Sequence, residues 1–241
     1  MVLMKIYCAP EDQQALVEVK LCASSAELSL SAPEDEFNPF QLILTLRAVE
    51  SKQPGRSITI CTKGTVFKRT ERDDALDMLA QGAFSGLINE SASSKNITLG
   101  LFHPHPLPQI NPPSDLRARG EQFITIPGNG SEVCVRHDIP FSRIFKFEER
   151  LKKADLQPGE RYKIQMNKMY IGTTWWCWGD LEDDLKEKKF SAWEEGVEYP
   201  ASEKPSDVEL ETGDWVFGER TEQLGFEDRT EGGYAEFEIV E

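Results

Sequence analysis

The apolar residues of this chain come in short runs, and the clearest of these alternate one for one with their neighbours. Over residues 15–22, Val17, Val19 and Leu21 alternate with Leu16, Glu18 and Lys20, and Leu28 and Leu30 alternate with Glu27, Ser29 and Ser31. Successive side chains of an extended strand point to opposite faces, so a period of two means one buried face. The longest apolar runs stop early, Val2-Leu3-Met4 at Lys5 and Leu42-Ile43-Leu44 at Thr45. None is long enough to span a membrane as a helix.

The same reading predicts further strands at 40–49, 57–62, 83–89, 96–102, 122–126 and 132–136. Gln53-Pro54-Gly55-Arg56 has Pro and Gly where a type II turn needs them, so 40–49 and 57–62 are expected to form a hairpin-like unit. Pro127-Gly128-Asn129-Gly130 predicts a second hairpin joining 122–126 to 132–136. Short helices are predicted near 73–81, over 141–153 and over 180–189, the last with Asp180 as cap and Asp183 at the capping-box position. The 103–120 stretch holds five prolines and reads as a long loop. Leu156-Gln157-Pro158-Gly159-Glu160-Arg161-Tyr162 fits a tyrosine corner, in which the Tyr hydroxyl bonds back to the backbone between two sheets. An ordinary Pro-Gly turn is the plainer alternative.

With 241 residues, 39% of them hydrophobic, the chain is long enough to bury a core. Its net charge of −15 is unevenly placed. Residues 180–241 carry 21 acidic and 6 basic side chains, and the rest of the chain is balanced. The expected organisation is a β-sandwich domain over 1–189 with an acidic C-terminal extension, 190–241, packed on it. An acidic surface repels nucleic acid and anionic membrane, so neither is expected as a partner. The start of the chain lacks the basic-then-apolar pattern of a secretory signal, which points to a cytoplasmic protein. The five cysteines, Cys8, Cys22, Cys61, Cys134 and Cys177, show no CxxC spacing and read as free thiols. Sequons at Asn89, Asn96 and Asn129 read as accidental in that compartment.

From about residue 40 to 185 the chain resembles a large group of uncharacterised fungal proteins. The resemblance is carried by the 42–47 and 57–61 strands with Gly64-Thr65-Val66-Phe67, the 122–127 strand, Leu156-Gln157-Pro158-Gly159, and a tryptophan block, Trp175-Trp176-Cys177-Trp178-Gly179. In the group a basic residue usually stands where this chain has Cys177. The resemblance implies an immunoglobulin- or fibronectin-like β-sandwich and no particular reaction.

Candidate chemistry is sparse. His103-Pro104-His105 would place two imidazoles on one side of an extended segment, where a third ligand such as His137 would complete a metal site. The plainer reading is an exposed loop, and no cofactor is expected. His137 and Asp138 together suggest a general base with its orienting carboxylate, but neighbours on a strand point to opposite faces. Cys134 and His137 are close in sequence without any sign of an activated thiol. No nucleophile elbow, phosphate-binding loop or zinc-protease motif is present.

The tryptophan block is the strongest candidate. On a strand Trp176 and Trp178 share one side and Trp175 takes the other. One side would fill the core, and the other would offer indole to a groove or to the acidic segment. The alternative is that all three pack inside. Glu182, Asp183, Asp184 and Glu187 read as a solvated face that could also meet the basic residues of 143–153. The leading expectation is therefore a non-catalytic binding module, monomer or homodimer. Its ligand is a protein or an apolar small molecule bound through Trp175, Trp176, Trp178 and Tyr170. The alternative is a cofactor-independent cyclase or isomerase whose aromatic pocket uses His137, Asp138, Asp180 and Tyr170.

Overall fold

The structure is a computed structural model that describes residues 8–31, 39–69, 77–102, 113–194, 211 and 213–241, and structural statements below concern these residues. The chain is mainly β. In order, its strands are β1 (Ala15–Ala23), β2 (Glu27–Ser29), β3 (Gln41–Ser51), β4 (Ile58–Cys61), β5 (Ile88–Asn89), β6 (Phe123–Ile126), β7 (Val133–Asp138), β8 (Arg161–Ile164), β9 (Trp176–Trp178), β10 (Lys189–Glu194), β11 (Trp215–Gly218), β12 (Leu224–Asp228) and β13 (Ala235–Val240). One short α-helix, α1 (Phe141–Ile144), follows β7.

The strands form a first sheet in the order β12-β1-β3-β7, a second in the order β2-β13-β8-β5, a third in the order β6-β4-β9, and a two-stranded fourth, β10-β11. The first three turn their apolar alternation toward one core. Val17, Val19, Leu42, Leu44, Leu46 and Val135 enter it from the first sheet; Tyr162, Ile164, Phe237 and Ile239 from the second; Ile58, Ile60 and Ile126 from the third. The arrangement is consistent with a β-sandwich. β3 alternates strictly, with Leu42, Leu44 and Leu46 buried and Ile43 half-buried on the outer side. β4 is buried at all four positions because β6 and β9 flank it and both of its faces are covered.

The pairings expected from sequence neighbours are replaced by longer-range ones. The turn at 53–56 forms, with Gly55 at φ 81° and Arg56 N–H donating to Gln53 O at 3.1 Å. Yet β3 pairs with β1 and β7, and β4 pairs with β6 and β9, so the two strands belong to different sheets. Similarly, β6 and β7 do not pair with each other. Their linker packs on the first turn instead: a Cβ on Gly128 would lie 2.3 Å from the carbonyl carbon of Arg56. Only a residue without a side chain allows that approach. Most of 83–89 and 96–102 is irregular, reduced to β5 and the bridges Phe84↔Met166 and Leu87↔Ile97. Gly86 and Gly100 interrupt these stretches.

The predicted helices are mostly turns. Helix α1 ends at Ile144, where Phe145 leaves helical geometry. Over 180–189, side chains take over backbone groups that a helix would use. Asp184 Oδ1 accepts from Asp180 N–H at 2.6 Å and Asp180 Oδ1 from Glu182 N–H at 2.9 Å. Acidic residues that cap their own backbone compete with helix, and Asp184 takes the part expected of Asp183. Of the 73–81 prediction, only 77–81 lies within the described residues, and it is a turn.

Leu156 is buried as a tyrosine corner requires, but the Tyr162 hydroxyl donates to Glu160 Oε2 at 3.2 Å, not to the backbone. The turn is held instead by Gly159 N–H, which donates to Ile239 O on β13 at 2.8 Å.

The boundary expected at 189/190 does not divide the sheets. β12 runs parallel to β1, and β13 lies between β2 and β8, with Phe237 opposite Tyr162. These late strands are integral to the sheets formed by the early ones. Phe237 and Ile239 are almost fully buried, and each contributes about 1.5–3 kcal/mol by burial alone. A chain ended at Gly233 is therefore expected to lose its cooperative thermal transition by circular dichroism. Retention of a native-like melt would contradict the inner position of β13.

Candidate functional site

β9 is short and extended, so its side chains alternate. Trp176 and Trp178 enter the main core, where their rings meet edge to face at 5.4 Å. Trp175 and Cys177 enter a second apolar cluster with Cys61, Leu116, Leu185 and Phe190. There the Trp175 ring stacks on Phe190 at 4.8 Å, and Phe123 meets both edge-on. β10 and β11 supply the far wall. A Cβ on Gly218 would lie 2.6 Å from the Trp175 indole, which therefore sits directly on backbone. Two buried indole nitrogens bond to carbonyls: Trp175 Nε1 donates to Ser191 O at 2.8 Å and Trp176 Nε1 to Arg220 O at 2.9 Å.

All three tryptophans are thus buried, Trp176 completely. Of the arrangements expected for them, the structure has the packed one: the side not facing the main core closes on residues of the acidic segment. Tyr170 is also buried, and its hydroxyl donates to Gln81 O at 2.9 Å.

The polar candidates are separated. His137 is fully buried, with Nε2 2.8 Å from Val66 O and its ring edge-on to Phe84. Asp138 points to the other face and accepts from Gln41 Nε2 at 2.8 Å. No His–Asp pair forms, and Cys134 lies on the outer face away from His137. Asp180 is committed to its turn after β9. His103 and His105 lie outside the described residues. Among the described residues no cluster of three or more His, Cys, Asp or Glu is placed to hold a metal ion. Burial pushes the Cys61 thiol up and raises Cys177 to about 12, so neither is poised as a nucleophile.

The acidic face of 182–187 has no ion pair with 143–153 among the described residues; Arg150 pairs with Glu148. Arg143 turns inward to a buried, two-pronged bond with Asp77, with Nε–Oδ2 and Nη2–Oδ1 both at 2.5 Å. Burial pushes the Asp77 carboxyl up, but the bonds from Arg143 and from Ala80 N–H outweigh it and hold the group below its ordinary range. This pair was not foreseen, because Asp77 and Arg143 lie 66 positions apart. The sequon Asn89 is buried, and its Oδ1 accepts from Ser91 and Ala92 N–H.

A concavity formed by described residues lies elsewhere. A groove of about 770 Å³ runs between the 82–86 and 98–101 stretches on one side and 165–168 and 228–233 on the other. Gly82, Gly86, Gly100 and Gly233 bring backbone to its surface; Ser85, Thr98, Gln165, Asn167 and Thr230 add hydroxyls and amides; Lys168 and Asp228 add opposite charges; and Phe84 and Met166, both buried, complete the lining. Leu101, 73% exposed, stands on its rim. No signal short of the fold could have joined these four stretches. Neither a tryptophan, His137 nor Tyr170 lines it.

No protein-family model matches the chain, and no curated protein or solved structure matches it.

Two stability effects follow. Trp176→Ala leaves a large void and is expected to cost about 3–5 kcal/mol in denaturant unfolding, the range for a buried aromatic. A near-neutral result would place the ring outside the core. Burial holds His137 below its ordinary range, against the opposing effect of its bond to Val66 O. The unfolded chain therefore gains a proton that the folded chain resists, and stability falls as pH drops through the ordinary value near 6.5. The melting temperature should fall more between about pH 7 and 5 for the natural chain than for His137→Gln, which has no imidazole to titrate. Equal falls would mean that His137 carries none of the effect.

Proposed function

We propose that this protein is a non-catalytic interaction module whose open groove takes an extended segment of a protein partner. The groove's composition carries the reading. Four glycines let another chain approach the backbone closely; Asn167 Nδ2 already bonds to Gly82 O and Ser85 Oγ to Gly86 O, so the donors offered to a bound chain are the exposed Gln165 amide and Lys168 ammonium. Leu101, exposed on the rim, provides an apolar contact, while Phe84 and Met166 are buried among the core residues behind the lining.

An enzyme acting on an apolar small molecule would need an aromatic pocket with a free ionisable group at its wall. The aromatic candidates fill two cores, and His137 and Asp138 face opposite ways, which weighs against that reading. The net charge of −15 supports a partner other than nucleic acid. No helix among the described residues is long and apolar enough to cross a membrane. A cytoplasmic setting, kinship with the fungal group and an immunoglobulin-like course of the chain belong to the same proposal. The kinship rests on the sequence Leu156-Gln157-Pro158-Gly159 and the tryptophan block, and the immunoglobulin-like course on that resemblance.

Gln165 is exposed on the groove wall, so Gln165→Trp fills the groove without disturbing a core. Peptides captured by the natural protein from a displayed random library should bind this variant about tenfold more weakly or worse, the loss of one well-placed contact or more. Equal binding to both proteins, or no peptide captured at all, counts against the groove.

A further inference from the structure

β7 is an edge strand. It pairs with β3 on one side only, in a register unbroken from Gln41↔Asp138 to Leu46↔Val133. Ile139 N–H donates to Phe40 O at 2.9 Å, and Ser24 N–H donates to Gln41 O at 2.8 Å. Even-numbered residues of β3 therefore face β7, and odd-numbered ones face β1. It follows that Val135 and His137 bond to β3, while the backbone N–H and C=O groups of Cys134, Arg136 and Asp138 point away from the sheet. Among the described residues these groups have no backbone partner.

Free strand edges are usually shortened, bulged, interrupted by proline or guarded by charge. β7 has no bulge, proline or glycine over its six residues. Four of the other sheet edges are managed. β2 and β5 are three and two residues long. On β10, Phe190 O is taken by Leu116 N–H and Ser191 bridges to Asp115. β12 ends in adjacent acids, Glu227 and Asp228, which would repel a second copy.

We propose that the free edge of β7 pairs with β7 of a second copy of this chain, antiparallel, about a two-fold axis at Cys134. The side chains fix the register. With Cys134 opposite its own copy, Glu132 stands opposite the partner's Arg136, and Arg136 opposite the partner's Glu132. Both side chains are exposed on the outer face of the sheet. Two opposite-charge cross-strand pairs form, one on each side of the axis. Centring on Arg136 would set two guanidinium groups against each other. Centring on His137 would pair Arg136 with the partner's Asp138, which Gln41 already holds, and would leave Cys134 facing Pro140, which has no N–H. The register at Cys134 is the one that is self-complementary in both backbone and charge. It extends the first sheet continuously across the two copies.

Sedimentation velocity over a concentration series, with a thermal melt of each variant as the folding control, tests this. The natural chain is expected to dimerise. Arg136→Glu and Glu132→Arg each set like charges opposite one another and should raise the dissociation constant about tenfold or more. The double variant carrying both changes should return it to near the natural value. In a Cys22→Ser background, mild oxidation should give a covalent dimer that Cys134→Ser abolishes, since opposed Cα atoms of a bonded antiparallel pair lie about 5.5 Å apart, within disulfide reach. A natural chain that stays monomeric at tens of micromolar overturns the proposal, even if the edge takes an added peptide. A dimer indifferent to both charge reversals also overturns it, because its interface then lies elsewhere.

Discussion

The third sheet is packed from both sides, and much of the remaining structure depends on that. β4 gives Ile58 and Ile60 to the main core, while Cys61 at its end joins the second cluster. β9 does the same with Trp176 and Trp178 on one side and Trp175 and Cys177 on the other. A strand buried on both faces cannot carry a charge without a partner, which explains why this one is aromatic and sulfur-bearing almost throughout. The second cluster is closed by Phe190, Val216 and Gly218, so the acidic part of the chain is also what keeps Trp175 dry. Arg117 seals its rim, with its guanidinium 4.1 Å over the Phe190 ring and bonded to Leu185 O and Lys186 O.

Polar groups inside the main core have a tying role. The Asp77–Arg143 pair fastens the irregular 77–102 stretch to α1, and Arg143 also reaches Leu99 O at 3.2 Å. His137 ties β7 to Val66 in the segment after β4. Such buried pairs contribute little net stability against an apolar replacement, but breaking one member is costly. Their value here is positional: they fix where a segment without regular structure must lie, and that segment forms one wall of the groove.

Much of the strand content was legible in the sequence, because period-two alternation is a local property of the chain. β1, β3 and β4 fall close to their expected places for that reason. The opposite facing of Trp175 and Trp176 could be read the same way, from the pleat alone. What could not be read was pairing. The turn at 53–56 and the loop at 127–130 are sound turn sequences, and they form turns, but the strands they join go to different sheets. Helical spacing misled at 141–153, because Arg143 and Ile144 were drawn inward by tertiary contacts. The capping pattern misled at 180–189, because Asp180 and Asp184 bond to backbone within their own turn. The groove was invisible, since it is assembled from glycines and small polar residues on four separate stretches, none with a pattern of its own.

The meeting of β2 and β13 has a consequence for how the protein is made. Ser29 Oγ donates to Glu241 O across 212 positions of sequence, and β8 also waits for β13 to fill the place beside it. During synthesis the first sheet lacks β12 and the second lacks an inner strand until nearly all of these residues have left the ribosome. Early segments must therefore remain uncommitted, with strand edges open, for most of translation. A nascent chain of this design folds late and as a unit, and chaperone occupancy should track the length of chain made rather than the completion of any one sheet.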